Sequence, residues 1–176
     1  MSNPTHKLLR FGFGAGVQEV SVPAANLLGE LHANQVEPGL TGEAEVRRAL
    51  SNPIGSPRLG DIVRPGEKIA IVTSDITRPM PTRQVMPALL DELYAAGVGR
   101  EDITLVFALG SHRRHTPAEM EKLAGERAWA EIRCVDSDSG DCVHMGVTTA
   151  GTPVDVTRVV AEADRRICLG NIEYHY

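Results

Sequence analysis

Short apolar runs separated by turns rich in proline and glycine dominate the chain from residue 67 onward. The clearest run, Lys68-Ile69-Ala70-Ile71-Val72-Thr73, has apolar residues on both alternating faces, which is typical of a parallel strand covered on both sides. Similar runs span residues 103–108 and 166–169, and apolar positions recur at helical spacing from residue 82 to about residue 96. This alternation predicts βαβ units around a mostly parallel sheet.

The N-terminal part of the chain has a less regular pattern. Lys7–Gly12 and Val17–Val22 predict two strands joined by a glycine-rich hairpin turn. A short helix is predicted from Glu43 to Leu50. We expect the two strands to extend an edge of the sheet, so the predicted fold class is α/β: a three-layer, Rossmann-like, mostly parallel sheet with extra N-terminal edge strands.

The C-terminal part contains several further elements. Thr116-Pro117-Ala118-Glu119 combines a capping box with proline at the first helical position, which predicts a helix start. Strands are predicted at 132–135 and 142–148, a turn at Gly151-Thr152-Pro153, and a short helix at Thr157–Ala163.

Length and composition set the class of protein. The 176 residues suit a single domain, 1–176, in which residues 1–60 supply the edge strands and short helix and residues 67–176 the βαβ core. The net charge of −5 has no clustered basic face, so no nucleic-acid partner is expected. Three cysteines without C-x-x-C spacing, no signal-peptide pattern and no run of ~20 apolar residues predict a cytoplasmic protein that does not contact membranes.

Polar clusters follow three of the predicted strands. They are Asp75, Thr77 and Arg78 after the first, Ser111, His112, Arg113 and His115 after the second, and Asn171, Glu173 and His175 after the last. Parallel strands place their carboxyl ends at one edge of a sheet, where ligands bind in open α/β folds. We therefore expect these clusters to face one crevice.

The residue types in these clusters suit proton transfer beside an anchored carboxylate. His112 and His175 can each take or give a proton near neutral pH. Arg78 can hold a carboxylate through two hydrogen bonds. Two bases on opposite sides of a carbon next to the anchored carboxylate suit a racemase or epimerase, which must act on both faces. A simpler interpretation is that Asp75 and Arg78 form an ion pair that braces a turn.

Two other functions use the same residues. His112 and His115 could share zinc with Asp75 in a hydrolase, although the helix boundary at Thr116 weakens this alternative because the two rings need not then point to one side. The chain could instead be a non-catalytic module that binds a small carboxylate or phosphate near Arg78, or one half of a split enzyme.

Three ordered motifs and one upstream segment resemble the N-terminal domain of the lactate racemase family. The resemblance covers most of the chain, from about residue 40 onward. Its segments are Asp75-Ile76-Thr77-Arg78-Pro79, Gly110-Ser111-His112-Arg113 with Thr116, Ala161-Glu162-Ala163-Asp164 leading to Gly170-Asn171-Ile172-Glu173-Tyr174-His175, and the upstream Ser51-Asn52-Pro53-Ile54-Gly55-Ser56.

The resemblance implies a cofactor and roles for individual residues. Enzymes of this family isomerise 2-hydroxy acids with a nickel-pincer nucleotide. His112 and His175 match the paired acid/base histidines, Arg78 matches the arginine for the substrate carboxylate, and Asp75 and Thr77 match positions at the cofactor. One histidine would remove the hydroxyl proton while hydride moves to the pincer ring, and hydride would return to either face of the keto acid.

The resemblance also implies parts that lie beyond Tyr176. In the family, the lysine that tethers the cofactor, the histidine that ligates nickel and a second domain all follow this position. We therefore expect the chain to be the N-terminal half of such an enzyme, to bind no cofactor and to be inactive when isolated. A missing C-terminal domain or self-association would cover its remaining apolar surface.

Overall fold

The computed structural model describes residues 5–172, which belong to two compact units, residues 1–38 and 39–176. In the first unit, β1 (His6–Phe13) and β2 (Gly16–Pro23) form the predicted antiparallel hairpin. Gly14 has a φ of +57°, which the tight turn requires and glycine adopts readily. The prediction that the two strands extend an edge of the larger sheet is wrong, because β1 and β2 form a two-stranded sheet of their own.

The second unit contains six helices and six strands among its described residues. The helices are α1 (Gly42–Ser51), α2 (Leu59–Ile62), α3 (Thr82–Ala95), α4 (Pro117–Ala124), α5 (Glu126–Glu131) and α6 (Arg158–Ala161). The strands are β3 (Ile69–Ser74), β4 (Ile103–Ala108), β5 (Arg133–Asp136), β6 (Cys142–Val147), β7 (Pro153–Thr157) and β8 (Arg165–Cys168).

Four strands form a fully parallel sheet in the order β5-β4-β3-β8. This confirms the predicted α/β fold with a mostly parallel sheet. The chain proceeds outward from β3 to β4 and β5, and then returns to β8 on the other side of β3. The order of the strands therefore reverses beside β3, and in open α/β sheets ligands bind at such a switch point.

The hydrophobic core lies between the sheet and a layer of helices. Ile71 and Phe107 of the sheet pack in one cluster with Met86, Leu90 and Leu93 of α3, and all five side chains are fully buried. On the other face, α6 contacts β3 and packs against the antiparallel hairpin of β6 and β7. Val106 of the sheet and Val156 of that hairpin line one pocket. Apolar residues on both faces of these strands follow from this three-layer arrangement.

Several local predictions can be checked directly. The capping box at the start of α4 is present: Thr116 Oγ1 accepts from Glu119 N, and Glu119 accepts from Thr116 N. The predicted turn at residues 151–153 is wrong at Pro153, which begins strand β7. Thr157 ends that strand, so the predicted helix at Thr157–Ala163 shortens to α6. No helix within residues 5–172 is long and apolar enough to cross a membrane.

Candidate active site

A pocket of about 380 Å³ lies at the carboxyl ends of β3, β4 and β8. This is the edge of the sheet at which the strand order reverses. The polar residues that line it include Asp75 and Arg78 from the β3 loop and Ser111 and His112 from the β4 loop. The structure therefore brings together residues of the first two clusters that the sequence predicts to meet.

Two tight turns set the positions of these side chains. In the β3 loop, Arg78 N donates to Asp75 O at 3.2 Å. In the β4 loop, His112 N donates to Leu109 O at 3.0 Å, and Gly110 between them has a φ of +58°. The turn needs a residue with a left-handed backbone conformation at this position, and glycine adopts it without strain. Each turn sends its polar side chains toward the pocket directly after a strand ends.

Asp75 and His112 form a close pair across the two loops. His112 Nδ1 lies 2.6 Å from Asp75 Oδ2, and the Asp75 side chain is 5 % exposed while that of His112 is 44 % exposed. Burial acts to raise the pKa of Asp75, but hydrogen bonds from Thr77 and His112 outweigh it and hold the pKa below its ordinary value. An ionised carboxylate only accepts hydrogen bonds, so the hydrogen of neutral His112 lies on Nδ1. The lone pair of its Nε2 is then available to act as a base.

Thr77 completes this arrangement. Its Oγ1 donates to Asp75 Oδ1 at 2.7 Å and lies 3.4 Å from His112 Nδ1. Both oxygens of Asp75 are thus engaged, one by Thr77 and one by His112. The cofactor-binding role predicted for Asp75 and Thr77 stays a prediction, and the geometry gives both residues a role in orienting His112.

His115 has a different environment from the one that the sequence suggested. It is buried, with Nδ1 at 2.6 Å from Asp136 Oδ1, and its Nε2 accepts a hydrogen bond from Ile76 N at 3.1 Å. Both ring nitrogens are therefore occupied, so His115 cannot share a metal with His112. Within residues 5–172 no cluster of three or more His, Cys, Asp and Glu side chains could hold a metal ion. The zinc-hydrolase alternative finds no support.

The remaining predicted site residues divide into three groups. Arg78 is exposed and lines the pocket. Arg113 points its guanidinium to Glu119, at 2.8 Å and 2.9 Å, and belongs to the capping region of α4. Glu173 and His175 lie outside the described residues, so the second predicted acid/base is not placed.

Sequence reasoning missed the residues that support the site from beneath. Ser137 Oγ accepts from Leu109 N at 3.0 Å and so fixes the start of the β4 loop. Thr73 and Thr82 share a buried hydrogen bond of 2.6 Å, which ties the end of β3 to the first turn of α3. Asp136 binds His115. Their signal was available as polar residues at the ends of apolar runs, but nothing in the sequence named their partners.

The family model described as "Lactate racemase N-terminal domain" matches residues 13–176. The chain is 34 % identical over 147 residues to a lactate racemase of Thermoanaerobacterium thermosaccharolyticum and 33 % identical over 140 residues to one of Lactiplantibacillus plantarum. These matches cover 82 % and 78 % of this chain, but only 34 % and 33 % of the relatives, so the chain spans about a third of their length.

A solved structure is similar over nearly all of the chain. The lactate racemase apoprotein from Thermoanaerobacterium thermosaccharolyticum gives a TM-score of 0.76 at 30 % identity, covering 92 % of this chain and 38 % of that one. The lactate racemase of this organism is therefore similar to the chain both in sequence and in structure. The chain belongs to the lactate racemase N-terminal domain family.

Proposed function

We propose that this chain is the substrate-binding and proton-handling half of a 2-hydroxyacid racemase or epimerase. The observation that carries the proposal is His112, which Asp75 orients at the wall of the pocket that Arg78 also lines. Membership of the lactate racemase N-terminal domain family supplies the reaction class. The substrate class is a small acid with a hydroxyl group next to its carboxylate.

His112 handles the proton of the substrate hydroxyl. Asp75 accepts from Nδ1 and leaves Nε2 as the basic atom. When Nε2 takes a proton, the ring becomes a cation 2.6 Å from a buried carboxylate, which stabilises the charge. When the hydroxyl forms again, Nε2 of His112 gives the proton back to the substrate oxygen. His175, which lies outside the described residues, stays the predicted acid/base for the opposite face.

Arg78 binds the substrate carboxylate. It follows Asp75 in a turn closed by a backbone hydrogen bond, so its Cα lies at a fixed point of the pocket rim. A guanidinium presents a planar pair of donors that match the two oxygens of a carboxylate. Holding the carboxylate orients the neighbouring carbon and its hydroxyl relative to His112.

The described residues do not fit the metal-bearing part of a nickel-pincer nucleotide. Among residues 5–172, no group of three or more His, Cys, Asp and Glu side chains could hold a metal ion. Of the lysines in the second unit, Lys68 pairs with Asp102 beside the opposite, amino end of β3, and Lys122 lies in the last turn of α4. We assign substrate binding and proton transfer to this chain, and no step through the cofactor.

A module that only binds a small anion is the alternative. Such a module has no use for a carboxylate that holds His112 in one tautomer, because binding an anion requires no proton transfer. The same carboxylate is useful when His112 must alternate between neutral and charged forms. The pair therefore favours the catalytic half over the binding module.

The decisive experiment measures interconversion of D- and L-lactate by the complete protein that contains this chain. His112→Ala should lower turnover roughly 10²–10⁴-fold, the usual range for loss of a general acid or base. His144→Ala is the matched control, because His144 pairs with Asp155 on the exposed β6–β7 hairpin. Wild-type turnover in the His112 variant would contradict the proposal.

A further inference from the structure

A second histidine–aspartate pair lies directly beneath the site. His115 Nδ1 is 2.6 Å from Asp136 Oδ1, and the backbone N of His115 donates to Asp136 Oδ2 at 2.9 Å. Only 1 % of the His115 side chain and 2 % of the Asp136 side chain are exposed. The pair is therefore removed from any substrate in the pocket.

The remaining ring nitrogen of His115 fixes the tautomer. Ile76 N lies 3.1 Å from Nε2, and a backbone N–H can only donate, so Nε2 must accept. The ring hydrogen then lies on Nδ1 and is donated to Asp136. The Phe107 ring packs against the imidazole of His115 in an edge-to-face arrangement, with ring centroids 5.5 Å apart and an angle of 71° between the ring planes. This contact limits rotation of the imidazole.

This ring connects three strand ends. Asp136 ends β5, His115 follows β4, and Ile76 follows β3. Ile76 is also the residue between Asp75 and Thr77, the two side chains that hold His112. The β3 loop and the β4 loop are thus joined twice, at the surface by His112 with Asp75 and underneath by His115 with Ile76.

We propose that His115 is a positioning residue for the racemase site: it holds the Asp75-Ile76-Thr77 segment in the conformation in which that segment orients His112. The proposal rests on the proposed function for its kinetic consequence, but the bond to Ile76 can be tested without it. An apolar side chain at position 115 could fill the same space but could not bond the backbone of Ile76. The hydrogen bond adds a fixed distance between the two loops.

Two substitutions distinguish the two hydrogen bonds of the His115 ring, because each keeps only one of them. In His115→Asn, the amide nitrogen takes the place of Nδ1 and reaches Asp136, but no atom replaces Nε2. In His115→Gln, the longer side chain carries an oxygen that can accept from Ile76. His144→Gln is the control, since His144 and Asp155 form a similar pair at 2.8 Å with both side chains half exposed.

The first measurements use the 176-residue chain labelled with ¹⁵N. The imidazole spectrum of wild-type protein should show His115 protonated at Nδ1 and unprotonated at Nε2. Amide hydrogen exchange at Ile76 should accelerate about tenfold in His115→Asn, the scale of one lost hydrogen bond, and should stay within about twofold of wild type in His115→Gln and His144→Gln.

A further variant keeps the experiment decisive if His115→Asn does not fold. Asp136→Asn preserves the shape of the side chain, but its amide must place an NH₂ group against either the ring Nδ1–H or the backbone N–H of His115. Where the NH₂ group faces Nδ1, the ring hydrogen moves to Nε2, opposite Ile76 N–H, and Ile76 exchange should accelerate as in His115→Asn. A protonated Nε2 in the wild-type spectrum would overturn the proposal, as would unchanged Ile76 exchange in an Asp136→Asn variant whose ring carries its hydrogen on Nε2.

The kinetic measurement uses the complete protein. His115→Asn should lower kcat for lactate about 10- to 100-fold with KM within about threefold, and His115→Gln should restore most of kcat. An unchanged kcat in His115→Asn, with Ile76 exchange accelerated, overturns the positioning role. A wild-type protein that racemises no 2-hydroxy acid overturns the proposed function instead, so the two failures are distinguishable.

Discussion

His112 Nδ1 lies 2.6 Å from Oδ2 of Asp75, a residue 37 positions earlier in the chain. The contact joins the loops that follow two neighbouring parallel strands. Its acceptor is buried while its donor ring is partly exposed, so one end of the pair is fixed and the other faces the pocket. This arrangement leads to a first prediction about the carboxylate itself.

Asp75→Asn should abolish the orientation of His112 without changing the shape of the site. The amide can present its NH₂ group to Nδ1, which favours the tautomer with hydrogen on Nε2 and removes the basic atom from the pocket. We expect lactate turnover of the complete protein to fall roughly 10²–10⁴-fold. Asp155→Asn, at the exposed His144 pair, should leave turnover unchanged. Equal activity of the two variants would argue against the pair.

Arg78→Gln should weaken substrate binding more than it slows proton transfer. A hydrogen bond to a charged group contributes about 1.5–3 kcal/mol, so the KM for lactate should rise roughly 10- to 150-fold. Arg83→Gln removes the same charge from the first turn of α3, outside the pocket lining, and serves as the control. If both variants keep the wild-type KM, Arg78 does not bind the carboxylate.

Much of the fold could be predicted from local patterns. The buried strands β3 and β4 are continuous apolar runs, and α3 follows from its helical stripe. Strand β7 was missed because it is short, begins with proline and carries polar residues. The pattern does not show that Pro81 is the N-cap of α3 or that Thr82 binds Thr73 in the core.

The site was predictable in its composition but not in its pairings. Polar residues after strands located the crevice, because parallel strands share an edge. Which histidine faces the pocket depends on contacts distant in sequence. His112 meets Asp75 and His115 meets Asp136, 21 residues later, and no spacing rule distinguishes the two histidines, which are only three residues apart.

The 176-residue chain should fold, purify without stoichiometric nickel and fail to interconvert D- and L-lactate. The reason is that residues 5–172 offer no group of metal donors and no lysine at the pocket. Metal analysis and a lactate racemisation assay on the purified chain test this directly. Nickel near one per chain, or racemisation above background, would contradict it. Circular dichroism of the same sample verifies that the chain is folded.

The capping box of α4 should make this helix sensitive to acid. Hydrogen bonds from Arg113 and from the backbone of Thr116 lower the pKa of Glu119 to about 2, from an ordinary value of 4.5. Because the pKa is depressed in the folded state, the carboxylate contributes stability that is fully present above pH 4.5. That contribution is lost progressively as the pH falls from 4.5 toward about 2.

Amide exchange in the first turn of α4 measures this loss, since Glu119 itself binds the amide of Thr116. Protection there should decrease between pH 4.5 and 2, after correction for intrinsic exchange. Glu119→Gln cannot titrate, so its protection should be lower at pH 6 and should not respond to Glu119 protonation in this window. Glu121→Gln, in the same helix but outside the capping box, should behave as wild type. A wild-type response that persists in Glu119→Gln would show that another group controls the start of the helix.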